Sequence, residues 1–270
     1  WSRLPQDLAL ARAIRRVLRR EPIDIVHAHN VEAPLLARLA RRHGPPVVYD
    51  VHTLMAEELP SYLPSTLAIP AGLAGRGVDA LVPRVADGCL ALSERAARVL
   101  ARRCRGPVEV VPPGVDPADL DGADPSGFRA RWALDGQRWV VYTGNTDAYQ
   151  DLPDLLQAMT RVDAGLLVVT GSPVEPLRAA CRDAGLPEAR LRLVASRDWV
   201  DARDAIAAAD VAALPRRVCA GFPVKLLNTL GLGVPTVAAA GSARDIPGVV
   251  AVPGGAGGLA RGLGALLEDP

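Results

Sequence analysis

The clearest candidate for a chemical site is the segment from Leu214 to Ala240, where an apolar strand is followed by a basic loop and then a helix. The loop carries Arg216 and leads to Gly221, where the backbone can come close to a ligand. Pro223 suits the first helical turn because its missing N–H would lack an acceptor there. The amides of that turn and the positive end of the helix dipole favour a phosphate or carboxylate, and Lys225 adds a full charge. The segment therefore predicts an anion site at the start of a helix.

Histidines form the second group of candidates. Residues 49–53 close a strand, so His52 is predicted at the carboxyl end of a parallel strand, where ligands bind in open α/β sheets. His27 and His29 alternate on another strand and share one face near its carboxyl end. They could bind a metal, but the sequence offers no Cys or carboxylate partner at suitable spacing, which favours a polar or packing role. His43, in a turn, is expected to face solvent. No metal and no other cofactor is expected.

Short apolar segments alternate along the chain with helical segments rich in Ala and Arg, which is the pattern of parallel sheets covered on both faces. The fold class is therefore predicted as α/β, with a first helix from about Pro5 to Arg20. Ten strands are predicted, at Ile23–His29, Pro46–Val51, Gly88–Ser93, Val108–Pro112, Arg138–Gly144, Leu166–Gly171, Leu191–Val194, Val211–Leu214, Val234–Ala239 and Val249–Val252. The segment Pro112–Asp135, rich in Pro, Gly and Asp, divides them. This predicts domains at residues 1–117 and 118–270.

Composition agrees with a two-domain cytoplasmic enzyme. The 270 residues, of which 49% are hydrophobic, can fill two cores. A net charge of +1, with Arg spread among Asp and Glu, gives no support for nucleic-acid binding. The four cysteines lack the paired spacing of a disulfide framework or a zinc site. No apolar run approaches the ~20 residues that span a bilayer, so membrane contact would be peripheral.

The segment Gly221–Pro235 resembles the donor-binding signature of the retaining glycosyltransferases of family 4, also called glycosyl transferases group 1. That signature runs Glu-Gly-Phe-Pro, four residues, Glu, and a helix ending in a small residue, Gly, any residue and Pro. The residues that match are Gly221, Phe222, Pro223 and Lys225. The two glutamates of the signature fall on Ala220 and Asn228. The resemblance implies a GT-B fold, with two Rossmann-like domains whose parallel sheets face a cleft.

The resemblance also implies that the first domain is incomplete. Four strands are predicted before the boundary and six after it, whereas a Rossmann-like domain has about six. In the family, a strand with a glycine-rich loop and two further strands precede this point, and a final helix follows. We therefore expect the chain to be a fragment or a truncated product, with a naturally compact variant as the alternative.

The resemblance assigns roles to residues of both domains. His52 is implied to contact the donor sugar or its phosphate, and Glu58 resembles part of an acceptor-facing loop. The family normally has an Arg directly after the glycine at Gly144 and a Lys five residues later, where the two cations bind the donor diphosphate. Here Asn145 and Gln150 take those places. Neutral amides stabilise a phosphate less than cations do, so other basic residues would have to compensate.

The donor-binding set implied by the resemblance includes the basic loop, the helix start and several loop residues. Its members are Gly144, Asn145, Gln150, Arg216, Gly221, Phe222, Pro223, Lys225 and Asn228. Other residues that follow strands are plausible base and ribose contacts, namely Gly171, Ser172, Arg197, Asp198 and Trp199.

The implied reaction moves a hexose from a nucleoside diphosphate sugar to a hydroxyl acceptor, with retention at the anomeric carbon. In the family such reactions serve polysaccharide or glycolipid synthesis, which would place the protein at the inner membrane surface. Two alternatives remain. A non-catalytic GT-B partner subunit would explain the neutral residues Asn145, Gln150 and Ala220. A nucleotide sugar epimerase shares the fold but needs carboxylates, which positions 220 and 228 lack.

Overall fold

The computed structural model describes residues 3–41, 44–219, 221–243 and 246–268. The chain divides into two compact units, Trp1–Pro113 with Ala220–Phe222, and Gly114–Cys219 with Pro223–Pro270. The predicted boundary after residue 117 falls inside the second unit, close to its start. The predictions for His43 and Ala220 lie outside the described residues.

The first unit contains a parallel sheet of four strands in the order β1-β2-β3-β4. Its strands are β1 (Val26–His29), β2 (Val47–Val51), β3 (Gly88–Ala91) and β4 (Val108–Val110). Its helices are α1 (Arg3–Arg20), α2 (Glu32–Arg41), α3 (Met55–Glu58), α4 (Ala68–Leu81) and α5 (Glu94–Leu100). In the register of the first pair, His29 lies opposite Asp50. Polar residues of two strands are therefore neighbours at the carboxyl edge of this sheet.

The second unit contains a six-stranded parallel sheet in the order β10-β9-β8-β5-β6-β7. Its strands are β5 (Trp139–Thr143), β6 (Gly165–Thr170), β7 (Leu191–Ala195), β8 (Val211–Leu214), β9 (Thr236–Ala239) and β10 (Val249–Val252). Its helices are α6 (Pro117–Leu120), α7 (Pro125–Trp132), α8 (Leu152–Met159), α9 (Val174–Asp183), α10 (Trp199–Ala208), α11 (Val224–Gly231), α12 (Ala240–Ala243) and α13 (Ala256–Glu268). The chain order of the strands reverses where β8 pairs with β5. Sheets of α/β proteins bind their ligands at such a point.

Both faces of the second sheet are buried, as the continuous apolar runs predict. Along β5, Val140 and Tyr142 belong to one core cluster, whereas Trp139 and Val141 belong to another. This alternation follows from the two-residue period of a strand. The α/β fold and all ten predicted strands are confirmed, with bounds that differ by up to three residues. Among the described residues, no helix has the length and apolar character that crossing a membrane would need.

The segment Pro112–Asp135, which is rich in Pro, Gly and Asp and was predicted to separate the two domains, contains two helices. Asp116 and Asp124 each cap a helix, accepting hydrogen bonds from the backbone amides of Ala118 and Gly127. A proline follows each aspartate at the first helical position, where it is well tolerated. The Asp-Pro pairs are therefore helix starts, and α7 buries Phe128 in the core of the second unit.

Candidate functional site

The second unit has a cavity of about 540 Å³ at the carboxyl ends of β5, β6 and β7. Its lining residues are Thr143, Gly144, Asn145, Val169, Gly171, Ser172, Ser196, Arg197, Asp198, Trp199, Ala202, Lys225 and Asn228. Four residues of the predicted donor-binding set are therefore brought together here, Gly144, Asn145, Lys225 and Asn228. The candidate base and ribose contacts line the same cavity.

Lys225 lies in the first turn of α11 and reaches back across β5. Its Nζ donates to the Tyr142 hydroxyl at 3.5 Å and lies 4.9 Å from the centre of that ring. Gly144 has a φ of +135°, and a Cβ added at Gly144 would overlap the Lys225 ammonium group. The glycine after β5 is therefore needed both for its backbone conformation and for the space that the lysine occupies.

The environment of Lys225 lowers the pKa of its ammonium group from 10.5 to about 8. Burial is the main cause, because a charge is less well solvated there than in water. The positive charge of Arg216 is the second cause. Burial and a neighbouring positive charge both disfavour the charged lysine, and an anionic ligand would offset both effects.

Asn145 and Gln150, which stand where the family has cations, are hydrogen-bonded to one another. The Gln150 amide donates to Asn145 Oδ1 at 2.8 Å, and Asn145 Nδ2 donates to the Tyr149 hydroxyl at 2.7 Å. Gln150 is only 4% exposed. Gln150 therefore positions Asn145, and it is absent from the lining of the cavity as far as the structure describes it.

Arg216 and Pro223 flank the site without lining the cavity. The Arg216 guanidinium lies 4.9 Å from the centre of the Tyr149 ring, and its Nε donates to the carbonyl of Val218 at 2.6 Å. Pro223 is buried and occupies the position just before α11, one residue earlier than predicted. The first amides of such a helix have no acceptor within the helix, so they can bind an anion.

Gly221 and Phe222 are grouped with the first unit. Gly221 forms an isolated antiparallel bridge with Thr53, and a Cβ added to Gly221 would come within 3.0 Å of the His52 carbonyl oxygen. The absence of a side chain at Gly221 thus allows its backbone to lie close to the backbone of His52 and Thr53.

The first unit has its own cavity of about 600 Å³, which brings together the two residues predicted there, His52 and Glu58. Its lining residues are Asn30, Val31, Glu32, Tyr49, His52, Thr53, Met55, Glu58, Leu59 and Tyr62. Glu58 accepts hydrogen bonds from Thr53 and from the Tyr62 hydroxyl, the latter at 2.5 Å. Burial raises the pKa of the Tyr49 hydroxyl, so that group is a neutral donor at this edge.

His52 belongs to a cluster of side chains that the sequence pattern alone does not indicate. His29 Nδ1 lies 3.1 Å from His52 Nε2, and Asp50 Oδ2 lies 3.1 Å from His27 Nε2. The expectation that His27 and His29 lack a carboxylate partner is therefore wrong, because strand pairing places Asp50 beside them. The signal was present as two patterns, His-Ala-His in β1 and Asp-Val-His at the end of β2, each with a period of two.

Tyr142 is the main residue of the second site that sequence reasoning missed. It lies inside β5 as one of several apolar or aromatic residues, so the sequence indicates only a core position. Its hydroxyl donates to the carbonyl of Asn145 at 2.6 Å and contacts Lys225. A buried tyrosine whose hydroxyl must find partners is the signal that could have indicated it.

Two known protein families together match most of the chain. The family described as Glycosyltransferase Family 4 matches residues 2–119, and the family described as Glycosyl transferases group 1 matches residues 137–269. A phosphatidyl-myo-inositol mannosyltransferase of Mycobacterium tuberculosis (strain ATCC 25618 / H37Rv) is 26% identical over 249 residues, which cover 88% of this chain and 60% of the relative. The chain thus spans about 60% of the length of that relative.

Solved structures show the same fold at low identity. Sucrose-phosphate synthase from Thermosynechococcus elongatus has a TM-score of 0.80 at 20% identity, over 97% of this chain and 68% of that chain. Anabaena HepE in complex with UDP has a TM-score of 0.74 at 18% identity, over 98% of this chain and 73% of that chain. The same protein has also been solved with UDP-glucose, at a TM-score of 0.72 and 17% identity over 98% of this chain and 73% of that chain. The fold of this chain is therefore of the GT-B type.

Proposed function

Because the chain belongs to glycosyltransferase family 4, the glycosyl transferases group 1, we propose that it transfers a hexose from a nucleoside diphosphate sugar to a hydroxyl acceptor, with retention at the anomeric carbon. One observation carries the proposal. The cavity of the second unit is lined by the cation Lys225 beside two amides, Asn145 and Asn228. HepE, one of the similar solved structures, holds UDP or UDP-glucose, which supports a nucleotide sugar as the donor.

The donor diphosphate would lie against Lys225 and the first amides of α11. A charged donor forms hydrogen bonds about twice as strong as a neutral one, so Lys225 would stabilise the phosphate that leaves during transfer. Asn145 and Asn228 would donate neutral hydrogen bonds beside it. The residues after β6 and β7, including Ser172 and Arg197, would contact the ribose and the base.

The acceptor would bind in the cavity of the first unit. Its polar lining, with Asn30, Thr53, Glu58 and Tyr62, offers hydrogen-bond donors and acceptors of the kind that bind hydroxyl groups. His52, which lines this cavity, would take part in the transfer step. A saccharide or lipid-linked acceptor from envelope synthesis would place the protein in the cytoplasm, with peripheral contact at the inner membrane surface.

A non-catalytic partner subunit is the second candidate, and one observation favours it. Both polar atoms of the Asn145 side chain bind neighbouring residues, Gln150 and Tyr149, so Asn145 offers a ligand one remaining N–H and no charge. Such a protein would bind the nucleotide and leave the sugar untouched.

The test is a titration of the protein with several nucleoside diphosphates and their sugars, followed by an assay for loss of the sugar. We expect one nucleoside diphosphate to bind preferentially and its hexose to be consumed in the presence of a hydroxyl acceptor. Binding without turnover would favour the partner subunit. If none of the nucleotides binds, both candidates are wrong.

Replacing Gly144 with alanine is expected to weaken binding of the preferred nucleoside diphosphate about tenfold, because strain of ~1–3 kcal/mol at a positive φ would move the loop and the new Cβ would displace Lys225. Isothermal titration measures the affinity. Gly136→Ala is the matched control, since Gly136 has a φ of +85° and open space where its Cβ would lie. If both variants lost the same affinity, backbone strain alone would explain the loss, and the contact between residue 144 and Lys225 would have no part in it.

A further inference from the structure

Four side chains converge on one spot at the carboxyl edge of the first sheet. His27 and His29 extend from β1, Asp50 from β2, and His52 from just beyond β2. Residues two apart on a strand share a face, and the parallel register sets His29 opposite Asp50. The backbone of two paired strands therefore brings three imidazoles around a single carboxylate.

The distances among three of these side chains, His27, His29 and Asp50, suit a small metal ion. Asp50 Oδ2 lies 3.1 Å from His27 Nε2, 3.3 Å from His29 Nδ1 and 3.5 Å from His52 Nε2. His29 Nδ1 and His52 Nε2 are 3.1 Å apart. A tetrahedral zinc ion with bonds of about 2.0–2.1 Å needs ligand atoms about 3.3–3.4 Å apart. The ligand atoms of His27, His29 and Asp50 all lie within 4.8 Å of one another.

The exposure of these side chains also fits a metal-binding site. The three histidine side chains are about half exposed, whereas the Asp50 side chain is only 13% exposed. The second oxygen of Asp50, Oδ1, is buried and has no hydrogen-bond partner within the described residues. A nearly buried carboxylate needs a compensating positive charge, and a bound cation would supply it at a point that solvent reaches.

We propose that His27, His29 and Asp50 bind a zinc-like divalent transition ion, with a fourth position open to water. Imidazole nitrogens with one carboxylate suit zinc, cobalt or nickel, whereas magnesium and calcium prefer sites made of oxygen ligands. These three residues belong to the first unit, whereas the nucleotide cavity is lined by residues of the second.

The experiment uses the whole protein, first freed of metal by dialysis against a chelator. Titration with Co²⁺ is followed by visible absorption, because tetrahedral cobalt absorbs far more strongly than the octahedral aquo ion. We expect one cobalt ion per chain with a tetrahedral spectrum, and displacement of that ion by Zn²⁺. A pale, octahedral spectrum, or binding without defined stoichiometry, would overturn the proposal.

Variants then assign the ligands. Altering a residue that supports a metal ligand typically costs 10–100-fold in affinity, so His29→Ala and Asp50→Asn, which remove ligands, are expected to lose about 100-fold or more. His52→Ala is expected to lose less, since His52 is not one of the three ligands. His43→Ala is the control for weak binding to any histidine, and His43 lies outside the described residues.

Asp50→Asn preserves the size of the side chain, so it keeps the test valid if alanine variants unfold. Circular dichroism confirms that each variant keeps its helices and strands. Cobalt affinity that is the same in Asp50→Asn, His29→Ala and His43→Ala would show that the cluster does not bind the ion. Nucleotide binding, measured on the same samples, reports separately on the proposed transferase function.

Discussion

Replacing Lys225 with glutamine is expected to weaken binding of the preferred nucleoside diphosphate about 10- to 100-fold near neutral pH. The Lys225 ammonium group lies beside Gly144 in the cavity of the second unit. Loss of a hydrogen bond from a charged donor costs about 1.5–3 kcal/mol, and each 1.4 kcal/mol is tenfold in affinity. Isothermal titration with the nucleotide measures the effect.

The same lysine should make nucleotide binding depend on pH. Its pKa is lowered to about 8, so the group is mostly charged at pH 7 and mostly neutral at pH 9. Because the phosphates bind the charged form, affinity is expected to fall about tenfold between those two pH values. The nucleotide phosphates keep a constant charge over that range, since their last pKa is near 6.

Two variants isolate the role of Lys225. Lys225→Arg keeps a charge that does not titrate in this range, so its affinity should be nearly constant between pH 7 and 9. Arg182→Gln removes an exposed cation from α9 of the same unit and should leave the nucleotide affinity and its pH profile unchanged. A parent protein whose affinity is flat across pH 8 would contradict the role given to Lys225.

The sheets were predictable because their strands are buried on both faces. Strands such as Leu166–Gly171 and Val211–Leu214 read as continuous apolar runs bounded by turn residues, and such runs indicate the strands of a covered parallel sheet. Strand ends were less predictable. Residues such as Ile23 and Pro112 continue the apolar pattern beyond the last paired residue, and only the neighbouring strand decides where pairing stops.

The segment after Pro112 shows how composition can mislead. Its aspartates and prolines are frequent in turns, yet in the order Asp-Pro they also begin helices. Sequence alone does not distinguish these outcomes, because burial of Phe128 against the second core stabilises α7. Tertiary packing thus decided the local structure.

The two sites differ in how far sequence could define them. Lys225 and Asn228 are three residues apart, so a helix that starts near Pro223 places them on neighbouring turns, and this was predictable from spacing. The proximity of Lys225 to Gly144 depends on the order of β5 and β8 in the sheet. The cluster around Asp50 depends on strand register, which the separate patterns of β1 and β2 do not contain.

Replacing His52 with alanine is expected to lower the turnover number of sugar transfer by about 10²–10³-fold, the usual cost of removing a group that stabilises charge in a transition state. The effect is expected in turnover, because the role proposed for His52 is in the transfer step and the nucleotide is proposed to bind residues of the second unit. The measurement is the rate of donor consumption at saturating donor, together with a direct titration of the nucleoside diphosphate.

A chelator in the assay separates this role from metal binding, since His52 Nε2 lies 3.5 Å from Asp50 Oδ2, and Asp50 is a ligand of the proposed ion. His52→Asn keeps a polar side chain near Asp50 and should recover part of the rate if hydrogen bonding is what matters. His43→Ala, which removes a histidine elsewhere in the sequence, should turn over as the parent does. If His52→Ala lost nucleotide affinity in the same proportion as turnover, His52 would support the fold or the nucleotide site, and its place in the transfer step would have to be withdrawn.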